Sequence, residues 1–153
     1  MRFIIIFLSL ISINSYANFS GIWQGDGIIT LRDGRTAYCD EIILHVIHDT
    51  DKMEFGNFRY ACGELAMNFT PPTLKFGKKK FGGKETFWNE EMVGKISDTK
   101  AKLLFPLTTG KARYTVKKVS SDEMDYQDEQ IGINANTGKE EITKIKAKLY
   151  KVN

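Results

Sequence analysis

Few residues in this 153-residue chain have the type and spacing to do chemistry. Its two histidines, His45 and His48, would begin any metal or haem site. On a strand, residues three apart face opposite sides, so the pair meets at one ion only where a bulge turns the chain. No cysteine or carboxylate stands at a spacing that would complete the ligand set, so neither metal nor cofactor is expected. There is no Gly-x-Ser-x-Gly elbow, no His-Glu-x-x-His and no phosphate loop. The carboxylate pairs Glu90-Glu91 and Glu140-Glu141 are adjacent residues that point apart on a strand. From these residues the chain is expected not to be an enzyme.

A second chemistry is electrostatic. Residues 75–88 interleave Lys75, Lys78, Lys79, Lys80 and Lys84 with Phe76, Phe81, Phe87 and Trp88, loosened by Gly77, Gly82 and Gly83. Such a lobe could grip an anionic protein surface or lipid headgroups, with Lys78, Lys79, Lys80, Phe81 and Trp88 as docking residues. The surrounding stretch, 74–91, reads as a long mobile hairpin or lid. Nucleic acid is not expected as a partner: the formal net charge is only +3, which is too little and too spread for that role.

Residues 1–17 carry Arg2, an apolar run and the small residues Ser15 and Ala17, the pattern of a signal peptide cleaved after Ala17. The run is shorter than the roughly 20 apolar residues of a membrane span and is broken by Ser9, Ser12 and Asn14. Export to a periplasm or beyond puts Cys39 and Cys62 in oxidising surroundings, where a disulfide between them is expected.

The elements that must position these groups are strands. In residues 19–31, Phe19, Gly21, Trp23, Gly25, Gly27, Ile29 and Leu31 alternate with mostly polar residues, with Ile22 and Ile28 as exceptions. The glycines let the strand bend or admit another backbone, and Asp33-Gly34 is a hairpin turn. Residues 36–48 are too densely β-branched for plain alternation, which implies a bulge or a strand covered on both faces. Further short strands follow between turns. Near the end, Ile145, Ala147 and Leu149 alternate with Lys144, Lys146 and Lys148. No stretch after the leader has a helical period. Residues 18–153 are therefore expected to form one all-β domain, an up-and-down antiparallel barrel of about 8–10 strands, lipocalin-like, whose closure removes exposed edges.

With Gly21-Ile22-Trp23 at the start of the first strand, the chain resembles the calycin group, the lipocalins and fatty-acid-binding-protein-like barrels. In those barrels the indole plugs the closed end, and in lipocalins an arginine packs over it, a part that Arg113 could take here. The Thr-Asp-Tyr type of signature is missing. The resemblance implies carriage of a small apolar molecule. The first functional expectation is thus an exported, non-catalytic binding protein whose ligand sits against Trp23, Phe55, Phe69, Phe105 and Tyr114. The alternative is a secreted or periplasmic interaction module, an inhibitor or envelope adaptor, docking through the lobe 75–88. A cavity of ~300 Å³ or more would favour the first, and a filled interior the second. The intact mass of the exported protein tests the leader: it should begin at Asn18, and a chain beginning at Met1 would show that the leader is kept.

Overall fold

The computed structural model describes residues 18–80 and 83–152, apart from the side chains of Phe69, Lys79 and Lys80. The proposed leader, 1–17, and Phe81 of the docking lobe lie outside the described residues.

The chain builds a ring of antiparallel strands and, among the described residues, no helix. The ring runs from β1 (Gly21–Thr30) to β2 (Thr36–His48) and β3 (Lys52–Cys62), then through β5 (Leu74–Lys80), β6 (Gly83–Trp88), β7 (Glu91–Ile96), β8 (Lys100–Leu107), β9 (Gly110–Lys118), β10 (Glu123–Ile133) and β11 (Glu140–Val152). It closes where β11 pairs with β1. The short β4 (Leu65–Phe69) hangs on the second half of β3, opposite residues 58–62, while the first residues of β3 pair with β5. Ten strands in a closed meander, with β4 attached to β3 as the eleventh of the sheet, make this an all-β barrel of the lipocalin-like kind.

The first strand shows why the ring closes. Trp23 and Ile29 are buried, whereas Ile22 and Ile28 face solvent at 46% and 53% exposure, so the two isoleucines belong to the outer face. Side chains at Gly25 and Gly27 would land on the carbonyl oxygens of Lys148 and Lys146, so glycine there is what lets β11 lie so close against β1. Beside them β2 carries the expected bulge: Gly27 faces Cys39 and Gly25 faces Ile42, with Asp40 and Glu41 accommodated between.

Cys39 and Cys62 stand opposite each other in the β2–β3 ladder and form a disulfide across 23 residues of chain. A loop of that length gives about 3 kcal/mol on the chain-entropy estimate.

Of the two readings of residues 74–91, the described residues give a hairpin built into the wall rather than a lid. β5 and β6 are wall strands, paired to β3, to each other and to β7. A register shift between Phe76 and Lys79 breaks the alternation that would have revealed them.

Trp23 is fully buried at the end of the barrel where β1 begins, and its indole Nε1 donates a 2.8 Å hydrogen bond to the carbonyl of Phe19, itself buried. The cation over its ring is the Lys151 ammonium, 5.8 Å from the centroid. It arrives there because Lys151 faces Trp23 in the β1–β11 ladder. Arg113 does not take that part. It sits on the outer face of β9, 2.7 Å from Glu129. Replacing Trp23 by Ala removes the largest fully buried side chain and should cost roughly 3–5 kcal/mol in urea unfolding. A loss under about 1 kcal/mol would mean that the barrel end repacks without it.

Candidate functional site in the barrel interior

The inward faces of β2, β3, β8, β9 and β10 leave a small cavity of about 30 Å³ between them. Phe55, Phe105 and Tyr114, three of the five residues expected at a ligand, line it. Phe105 stacks edge-on against Tyr114 at 5.6 Å and against Trp88 at 5.7 Å, so these rings form one aromatic wall. Trp23 is core rather than cavity wall. Phe69 stands at the end of β4 opposite Phe58. The thioethers of Met53 and Met124 complete the lining on two sides.

Behind Tyr114 and Tyr126 of this wall, and not itself part of the lining, lies a polar group that sequence reasoning missed. Asp128 is 1% exposed, and both of its carboxylate oxygens lack a hydrogen-bond partner. On β10 it follows Met124 and Tyr126 on the inner face, opposite Tyr114 of β9 and Ile145 of β11. Burial pushes its carboxyl up to about 7, the negative charge of Glu129 adds to this, and the Gln130 amide pulls the other way. The Tyr126 hydroxyl is also buried without a partner. Tyr60, Tyr114 and Tyr126 have their hydroxyls held protonated, first by burial and then by the Asp128 charge. The signal was present in the sequence: Met124, Tyr126 and Asp128 share the period of one strand face, but the acidic run around them reads as a solvated segment.

Its neighbour Glu129 is the opposite case. It lies on the outer face, bonded to Lys144 and Arg113 at 2.7 Å each, and these partners hold its carboxyl below the usual range.

The histidines do not form a site with each other. The bulge near them falls on the β3 side, so β2 keeps its alternation and His45 and His48 face opposite ways. His48 is half-buried between Phe19 and Phe76, and burial together with the Lys84 charge lowers its basicity. Ser20 bonds the backbone of His48 rather than its ring.

Of the lobe, Lys78 is exposed on β5, Lys79 and Lys80 stand opposite Lys84 and Gly83, and Trp88 is half-buried against the aromatic wall. A second lysine surface lies elsewhere, in an outer groove of about 950 Å³ bordered by Tyr38, Tyr150, Lys100, Lys117 and Lys146, with Asp26 and Asp125 among them.

No protein-family model and no curated protein sequence matches the chain. Solved structures do. The S-type phycobiliprotein lyase CPES of Guillardia theta is similar with a TM-score of 0.62 at 8% identity, covering 88% of this chain and 89% of that one. A DUF3598-family protein of unknown function from Nostoc punctiforme matches with a TM-score of 0.50 at 13% identity, over 88% of this chain and 48% of its own. A deswapped triple mutant of bovine odorant binding protein has a TM-score of 0.37 at 13% identity, over 88% and 74%. The fold is therefore calycin-like. The expectation that the chain is not an enzyme is overturned by the first likeness: a lyase is built on this barrel, so the absence of hydrolase and metal motifs does not set the chain apart from enzymes.

Asp128 also fixes a pH dependence. Its folded value of about 7 lies above the ordinary 3.8, so between those values the folded chain holds a proton that the unfolded chain has lost. Stability therefore falls as pH rises through that window. Between about pH 5 and about pH 8 the loss should be roughly 2–3 kcal/mol, and Asp128→Asn should remove most of it. Urea melts of both proteins at both pH values measure the difference. An equal loss in the two would show that Asp128 is not the group responsible.

Proposed function

We propose that the protein, exported by the leader at 1–17, binds a compact small molecule with an apolar body inside the barrel. The observation that carries this reading is the lining, Phe55, Phe105 and Tyr114 with the two flexible thioethers, and not the volume, which falls short of the ~300 Å³ expected of a roomy ligand barrel. Aromatic walls with a few polar groups at one side are the usual make-up of a small-molecule site. The size of the space limits the guest: about 30 Å³ is room for one or two water-sized groups. A long acyl chain is thus the wrong guest, and a ring-sized one enters by displacing Met53 or Met124, whose unbranched side chains move at low cost. The disulfide between Cys39 and Cys62 is in keeping with an oxidising compartment.

A second reading is favoured by the same small volume. A nearly filled barrel suits a docking module, and the outer groove with Lys100, Lys117 and Lys146 offers an anionic protein or lipid surface a second basic face besides the β5–β6 hairpin.

Calorimetric titration with 2-phenylethanol separates the two. Interior binding predicts a saturable signal that Ala101→Val, which fills the cavity from the wall of β8, weakens about tenfold while the fold is kept. Absence of any saturable heat would remove the interior reading and leave docking.

A further inference from the structure

We infer that the guest of this interior carries a protonated amine and that the Asp128 carboxylate receives it. The inference rests on the interior-binding reading and deepens it by naming the ligand class.

Asp128 is buried to 1% exposure with both oxygens unpartnered, and the Tyr126 hydroxyl on the same strand face is unpartnered too. A buried carboxylate without donors is among the costliest groups a folded chain can keep, and an apolar residue of similar size would be cheaper. The Gln130 side chain comes near enough to favour its charged form but not within hydrogen-bond geometry, and the other donors nearby are spent elsewhere. Tyr60 directs its hydroxyl to the sulfur of Met67 at 3.3 Å, and the cations on the neighbouring outer face, Arg113 and Lys144, bond Glu129 instead. With only Gln130 near it, the carboxylate keeps hydrogen-bonding capacity for something that enters.

The surroundings also select the sign of the charge. Asp128 faces Tyr114 of β9 and Ile145 of β11, shares its strand face with Tyr126, and feels Tyr60 from β3. An anionic head would meet the carboxylate with no intervening cation. A purely apolar guest would leave it unpartnered. An ammonium gives it up to three donors and meets aromatic faces that attract cations. Because the empty site holds a proton on Asp128 below about pH 7, an ammonium binds best above that pH, once the proton has left; Tyr60, Tyr114 and Tyr126 stay neutral throughout. The apolar body then lies toward the cavity that Tyr114 and Tyr126 border.

Three ligands with one body test this: 2-phenylethylamine, 2-phenylethanol and phenylacetate, titrated calorimetrically into the full mature chain. At about pH 8 the amine should bind at least about tenfold tighter than the alcohol, as a charge-assisted hydrogen bond in a dry site predicts, and phenylacetate should bind weakest. At about pH 5 the preference for the amine should shrink to less than about threefold. In Asp128→Asn it should be small at both pH values. Alcohol binding without an advantage for the amine, or an advantage that survives in Asp128→Asn, overturns the amine inference and leaves the interior site standing. Failure of all three ligands overturns both.

Discussion

Closure of the ring is the constraint on which everything else depends. Once β11 is bonded to β1 and β2 to β3, each inward side chain has lost its access to water, and the period of two decides residue by residue what the interior contains. That is why Gly25 and Gly27 matter more than their size suggests: they set the approach of β11, and a methyl group at either would push the last strand away. It is also why a single carboxylate inside stands out. On an open sheet Asp128 would be hydrated, whereas in a closed one its charge has only protein groups, or a guest, to answer it.

The wall is uneven in one place. β3 spends its outer edge on two partners, β5 at its start and β4 further on, and β4 has no second neighbour among the described residues. The side chains of Leu65 and Met67 on β4 are 43% and 40% exposed, and Met67 is the residue to which Tyr60 donates. The disulfide from Cys62 to Cys39 ties the end of β3 back to β2 just there.

The strands at the two ends of the chain were legible because their alternation is unbroken: Trp23 and Ile29 inside with Ile22 and Ile28 outside, then Ile145, Ala147 and Leu149 inside with lysines between. The bulge expected in β2 is present, but at Asp40 and Glu41, ahead of the β-branched run that suggested it, and that run itself alternates in and out. β5 and β6 were not legible, because glycines and lysines dilute the pattern and a register shift moves it off its period. At the site, aromatic residues on inward strand positions are easy to list from sequence, and Phe55, Phe105 and Tyr114 do stand on the cavity wall. Two substitutions of role were hidden. Lys151 rather than Arg113 covers Trp23, because the ladder and not the residue type chooses the neighbour. Asp128 was hidden by its company, since among Asp125, Glu129 and their neighbours a solvated segment is the natural reading.

The pairing of β1 with β11 also sets the order in which the molecule can be completed. Every other join in the ring links strands near one another along the chain, so they can form as each hairpin emerges. The join between Ile22 and Val152 cannot. Until the last residues arrive, the outer edge of β1 is an unpaired strand with Ile22 and Ile28 beside it, the kind of surface that recruits other chains. Losing only the final turn of sequence would thus cost more than a few contacts: it would leave two matching open edges on each molecule, each able to pair with the next.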